Sequence, residues 1–180
     1  FLLVTAYSDG AESTDSQPVT VKLIAVNDFH GRLKVDRNPV DYGARVTVED
    51  PSSPSGVTKL HAGGAAFLAS LVNQLKGTNP NSIVVAAGDI IGASQPIAGL
   101  TSEEAAIDVM GQIGLEVTAV GNHEFDKGKD ELLRLQNGGC NPSVLPQDRG
   151  TKTCVVNGSF SGAKFKYHAA NVINNSTNQP

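Results

Sequence analysis

Cysteine is scarce in this sequence. Cys140 and Cys154 are the only two in 180 residues, and neither belongs to a C-x-x-C pair. That spacing argues against a zinc knuckle or a thiol redox motif. An even pair in an exported chain reads as one disulfide closing the loop between them, with two unpaired thiols as the alternative. Methionine is scarcer still: Met110 stands alone and the chain starts at Phe1, so the sequence is expected to begin inside a longer reading frame. No stretch is long and apolar enough to cross a bilayer, so no membrane span is expected. Positive charge is not in excess either, with 14 Lys+Arg against 18 Asp+Glu and a net charge of −4. The electrostatic footprint of a nucleic-acid polymer binder is therefore missing. A small phosphorylated substrate stays compatible, because a metal ion can supply local positive charge.

What is present is globular. Hydrophobic residues make up 39% and charged residues 18%, and the length suits one domain with a real core. No internal repeat or low-complexity tract interrupts it. The opening FLLVTA (1–6) is apolar and ends in small residues, as the tail of a secretory signal would; a vector scar or frayed terminus is the alternative. Residues 7–19 are polar and turn-rich. The segment 1–20 thus reads as a signal remnant or flexible lead-in.

Val21–Val26 is a β-branched run, a buried strand. Residues 35–58 carry three prolines and two glycines and read as a long excursion. A helical pattern follows Gly63-Gly64, with Phe67, Leu71 and Leu75 at four-residue spacing and Leu68 and Val72 beside them. Ile83–Ala87 is a second buried strand. A second helix is expected from Ser102 as N-cap, with Glu103 and Glu104 in its first turn. Val117–Val120 is a third strand, Lys129–Leu135 a shorter helix, and Phe165–Ala170 a fourth strand. Alternating strands and helices indicate an α/β architecture with largely parallel strands.

Each of the first three strands ends in a turn bearing metal-capable side chains. They are Asp28 with His30, then Asp89, then Asn122 with His123. In α/β sheets functional groups gather at the carboxyl ends of strands, so three such turns can converge on one point. Asp28 and His30, two apart, point to one side of extended chain. A carboxylate with an imidazole suits Zn, Mn or Fe rather than Ca. Taken singly, each has a plainer reading: a turn-capping Asp, a solvated His, an Asx turn. Asp126, three residues after His123, can orient a protonated His123 for general-acid work; an ion pair at a helix start is the alternative. Glu124 reads as a support for metal ligands or as a surface residue. His61 and His168 read as surface or packing histidines, and Arg32 as solvated, with contact to a substrate phosphate as the alternative.

The strings VNDFHGRL (26–33), GGAAFLAS (63–70), AAGDIIGAS (86–94), AVGNHEFDKG (119–128) and AANVI (169–173) resemble, in order, those of calcineurin-like metallophosphoesterases. The F-D after G-N-H-E narrows the resemblance to the 5′-nucleotidase and 2′,3′-cyclic phosphodiesterase branch. It covers roughly residues 21 to 173. It implies a partial metallophosphoesterase β-sandwich flanked by helices, an α/β fold of αββα type. It implies that Asp28 and His30 hold a first metal, that Asp89 bridges two, and that Asn122 binds the second. His123 and Asp126 would be the catalytic dyad. The implied cofactors are two divalent metal ions, Zn, Mn or similar. The implied reaction is release of phosphate from a small-molecule nucleotide substrate by in-line attack of a metal-bound hydroxide. A 2′,3′-cyclic phosphodiesterase, a nucleotide-sugar hydrolase or a non-catalytic metal-binding module are alternatives on the same fold.

The resemblance also has a gap. The family carries further His ligands in later motifs, including a G-H-x-H-like string, and none is present here. Residues 21–180 are therefore expected to be the N-terminal part of a catalytic domain. On that expectation a C-terminal nucleotide-binding domain is absent, and the isolated 180-residue piece is inactive. The resemblance and the opening segment together imply a secreted, periplasmic or cell-surface location.

Overall fold

The computed structural model describes residues 2–6, 18–35, 45–141, 153–155 and 158–178. Most of the polar lead-in and most of the loop between the cysteines lie outside the described residues.

A five-stranded sheet organises the chain. Its strands are β1 (Leu2–Ala6), β2 (Val21–Val26), β5 (Ser82–Ala86), β6 (Val117–Ala119) and β7 (Lys166–His168), in the spatial order β1-β2-β5-β6-β7. Strand β1 pairs antiparallel with β2, and the remaining neighbours run parallel. The opening apolar segment thus forms an edge strand. Ile24, Val26, Val84 and Ala86 on the central strands are buried. Short β-branched runs of this kind suit a strand covered on both faces.

Helix α1 (Ala65–Lys76) connects β2 to β5, and α2 (Pro96–Gly99) with α3 (Glu104–Ile113) connects β5 to β6. Helix α1 packs on β2, β5 and α3. Its buried face differs from the expected stripe. Phe67 is 63% and Leu71 40% exposed, while Ala65 and Val72 are buried and Leu68 and Leu75 partly so. The four-residue spacing of Phe67 and Leu71 was real but faces outward. Helix α3 buries Ala106, Ile107, Met110 and Ile113, with Val109 partly buried.

The start of α3 corrects the sequence reading. Ser102 is not the N-cap; Glu103 is, at φ 67°, and makes no side-chain cap bond. Ser102 itself sits at φ 48°. The acidic side chains leave the helix end for other tasks. Glu103 accepts a hydrogen bond from Ser94 Oγ at 2.7 Å, and both carboxylate oxygens of Glu104 accept from the Cys154 amide at 2.9 Å.

The expected excursion holds a hairpin, β3 (Arg45–Glu49) with β4 (Val57–His61). Asp50 accepts bonds from the Ser52 amide and hydroxyl and so shapes the turn between them. After β6, a 3₁₀ turn (His123–Phe125) and α4 (Lys129–Asn137) lead towards β7. Gln136 donates to the Phe165 carbonyl at 3.0 Å and accepts from the Tyr167 amide at 2.9 Å, so an amide side chain satisfies ladder positions of β7. Cys140 and Cys154 form a disulfide with Cα atoms 5.5 Å apart.

Candidate metal centre

Strands β2, β5 and β6 are adjacent and in register at their carboxyl ends, with Val26 opposite Ala86 and Ala86 opposite Thr118. Their turns therefore leave the sheet side by side. The first two stay zipped beyond it: the Ala87 amide bonds to the Val26 carbonyl, His30 to Asp89, and Gly31 to Ile90, each at 3.0 Å. Between the second and third turns the spacing is tighter than most residues permit. A Cβ at Gly88 would lie 2.5 Å from the Gly121 nitrogen, and Gly88 itself has φ 98°.

On this frame Asp28, His30 and Asp89 come together, with one potential ligand atom from each within 4.8 Å of the others. Asp28 is exposed and the other two are half-buried. All three occupy left-handed backbone, at φ 52°, 48° and 50°. Such positions cost about 1–3 kcal/mol each, and Asp and His are among the side chains that tolerate them best. Strain repeated at three clustered, metal-capable residues favours a functional over a packing explanation.

The donor set fits a divalent cation. His30 Nδ1 lies 2.8 Å from the Gly92 carbonyl oxygen. A carbonyl only accepts, so Nδ1 carries a proton, and in the neutral ring Nε2 is the nitrogen with the lone pair. Nε2 is the nitrogen facing Asp28, 3.6 Å from Oδ1. A ligating histidine is oriented in this way by a bond from its other nitrogen.

His123 stands beside this cluster, its ring 5.1 Å from that of His30 and nearly perpendicular. Its backbone amide donates to Asp89 Oδ1 at 3.1 Å, and Nδ1 is 2.7 Å from Asp126 Oδ2. That hydrogen bond, opposed by desolvation and aided by the charges of Asp126, Asp89 and Glu124, raises the His123 pKa above its ordinary value. Nδ1 is committed to Asp126, so Nε2 is the nitrogen available to a substrate. Gly92 makes room for the ring: a Cβ there would meet His123 Cβ at 2.5 Å. Asn122 is exposed at the start of the same 3₁₀ turn.

The sequence reading left Glu124 between two roles, and the structure shows it buried at 2% exposure. It accepts from the amides of Asp89, Ile90 and Gly121. Gly92 had no assigned role, although it lies inside a quoted string. Its signal was a second glycine four residues after Gly88, in a run that must pack against another turn. His61, His168 and Arg32 are exposed and lie outside the cluster of Asp28, His30 and Asp89. A separate apolar groove of about 700 Å³, lined by Phe125, Leu132, Leu133, Tyr167, Val172 and Ile173 among others, shares no residue with that cluster.

Known proteins resemble this chain over much of its length. The family model described as calcineurin-like phosphoesterase matches residues 21–179. An endonuclease of Bacillus subtilis, YhcR, is 32% identical over 94% of this chain and 12% of its own length. A 5′-nucleotidase of Bos taurus is 29% identical over 66% of this chain and 18% of its own. Among solved structures, the Haemophilus influenzae NAD nucleotidase aligns with a TM-score of 0.57 at 23% identity, over 88% of this chain and 22% of that one. The chain thus spans under a quarter of the length of each of these three, and 76% of an Acinetobacter calcoaceticus protein to which it is 41% identical over 92% of this chain.

Proposed function

The chain belongs to the calcineurin-like phosphoesterase family, and from that premise we propose that the protein releases phosphate from nucleotides with two divalent cations, Zn, Mn or similar. The observation that carries this reading is the convergence of Asp28, His30 and Asp89 beside the His123–Asp126 pair.

Asp28 and His30 would hold one cation, Asp89 would reach both, and Asn122 would serve the second. When bound, the cations supply Lewis acidity and charge neutralisation at the phosphoryl oxygens. The chain's own residues do the rest. Gly92 fixes the His30 tautomer through its carbonyl. Asp126 holds the His123 ring by Nδ1 and favours its protonated form, which leaves a proton at Nε2 for the departing alcohol. The left-handed turns hold the ligands before substrate arrives, so less reorganisation is needed on binding.

Three protein ligands for the first cation and two for the second are few. We take the chain to be the N-terminal part of the catalytic domain, with further ligands supplied from outside it. The small share that it spans of the endonuclease and of the bovine 5′-nucleotidase supports this. A secreted, periplasmic or cell-surface location belongs to the same reading. Cleavage of 2′,3′-cyclic nucleotides or nucleotide sugars would use the same groups. A second reading, cleavage of a polynucleotide, is favoured by the endonuclease relative and opposed by the net charge of −4, since polymer binding depends on neutralising phosphates.

The test is phosphate release from 5′-AMP by the full-length protein with Mn or Zn, with a chelator as control. Chelator-sensitive release supports the nucleotidase reading. Nicking of DNA without release from AMP would replace it with the endonuclease reading. Neither activity, with metals shown to be bound, would leave a non-catalytic metal-binding module.

A further inference from the structure

Glu124 follows His123, yet its side chain turns away from solvent to the backbone of a different turn. Oε2 accepts from the Asp89 amide at 3.0 Å and from the Gly121 amide at 2.7 Å, and Oε1 accepts from the Ile90 amide at 2.9 Å. The exchange is reciprocal, because Asp89 Oδ1 accepts from the His123 amide at 3.1 Å. Each turn thus sends a carboxylate to the other's backbone. Steric contact sets the opposite limit. A Cβ at Gly121 would lie 2.1 Å from Asp89 Oδ1 and 2.6 Å from the Asp89 nitrogen. The two turns are drawn together by hydrogen bonds until backbone meets backbone.

We propose that Glu124 is a positioning residue, whose carboxylate clamps the Asp89 turn to the Gly121-Asn122 turn and thereby sets the spacing of Asp89 and Asn122 for a shared divalent cation. The inference rests on the metallophosphoesterase reading above and deepens it. Asp89 sits at φ 50°, a conformation that persists only where surrounding contacts impose it. The amides that Glu124 grips are those of Asp89 itself and of the residue after it. Loosening that grip frees the Asp89 carboxylate to rotate, and cation sites tolerate only a few tenths of an ångström of ligand displacement.

A second buried carboxylate provides the control. Glu104 is 3% exposed and also accepts backbone bonds, from Cys154, but its partners are α4 and the disulfide-bonded loop. Replacing it should loosen the fold without touching the cation site.

The experiment is a Co²⁺ titration against a competing chelator, read by visible absorption, on full-length protein as wild type, Glu124→Gln, Glu104→Gln and Gly121→Ala. In Glu124→Gln, an amide NH₂ would face backbone N–H groups. Cobalt is expected to bind it about 10–100-fold more weakly, the range seen when residues behind metal ligands are changed, with an altered spectrum. Gly121→Ala, which presses on Asp89 from the other side, should weaken binding as well. Glu104→Gln should bind as wild type despite a lower melting temperature. Folded Glu124→Gln with wild-type affinity and spectrum would overturn the proposal, as would an equal loss in Glu104→Gln. If Glu124→Gln fails to fold, Gly121→Ala decides: wild-type affinity there overturns the clamp. Wild-type protein that binds no cobalt would instead refute the metal-centre reading on which the clamp depends.

Discussion

Arg134→Met is expected to destabilise the domain by about 3–5 kcal/mol, the range for removing one partner of a buried ion pair. The guanidinium is 9% exposed and makes five hydrogen bonds. Two form a fork on Glu131 at 2.8 Å each, one reaches Glu104 at 2.7 Å, and two reach the carbonyls of Gly139 and Ser102. The group therefore ties α4 to the start of α3 and to the disulfide-bonded segment. Not all of these losses weigh equally. Glu131 is 12% exposed and can turn towards water, whereas Glu104 is 5% exposed in its side chain and cannot. Glu104 would keep its bonds from the Cys154 amide, and methionine would retain part of the packing over the Phe160 ring, 5.3 Å from the guanidinium carbon. These compensations favour the lower end, about 3 kcal/mol. At about 2–4 °C per kcal/mol for a domain of this size, the melting temperature should fall by about 6–12 °C. The assay is thermal and urea unfolding of wild type, Arg134→Met, Glu104→Gln and the double variant. The double variant should recover part of the loss, because no buried charge is then left unpaired. A loss below about 1 kcal/mol in Arg134→Met would show a pair screened as on an open surface and would refute the reasoning.

Asp89→Asn should lower the metal content of the purified full-length protein at both positions; elemental analysis that still finds two ions per chain would contradict a bridging role. His123→Ala should retain metal and lower kcat by on the order of a hundredfold or more, and an unchanged kcat would remove the acid role. Asp126→Asn should move the alkaline limb of the kcat profile to lower pH, because the bond to Asp126 is the main cause of the raised His123 pKa. The stability sign follows: a histidine raised in the folded state stabilises it below the ordinary value of 6.5 and loses that contribution as pH rises through the folded value. Asp126→Asn should thus destabilise at pH 5 more than at pH 9, and equal losses in unfolding at both would contradict the pairing. Glu103 has the opposite origin, since burial pushes its pKa up from 4.5. The wild type should lose stability as pH climbs from about 4.5 through the raised folded value, so Glu103→Gln should gain on it over that interval. A difference in melting temperature that stays flat from pH 4 to pH 8 would show that burial does not govern Glu103.

Much of the fold was legible because burial on both faces of a parallel sheet leaves a plain mark. Val21–Val26, Ser82–Ala86 and Val117–Ala119 fall within a residue of their expected bounds. The hairpin of β3 and β4 was hidden among prolines and glycines. It buries little, with Val46 47% and Leu60 50% exposed, so its alternation carries no core-facing face to recognise. Phe67 and Leu71 misled for a related reason. Periodicity shows that a helix has an apolar stripe, but the surface against which it packs is set elsewhere, and here Ala65 and Val72 are the positions buried in the core. At α3 the local cap preference of Ser102 lost to tertiary partners. Ser94 and Cys154 draw Glu103 and Glu104 away, and a hydrogen bond to a buried group outweighs a cap open to water.

The sequence alone determined which metal-capable side chains would gather at one end of the sheet. Asp28, His30, Asp89, Asn122 and His123 each follow an apolar strand, and strand ends on one side of a parallel sheet must lie near one another. Residue types and order were enough for that. Only the tertiary structure decided which nitrogen of His30 is free, since that depends on the Gly92 carbonyl, 62 residues away in sequence. It also decided that Glu124 is buried and grips the Asp89 turn rather than facing water. Such bonds join backbone to side chain across turns, and backbone amides are the same in every sequence. No residue pattern marks which of them a carboxylate will find until the chain has folded.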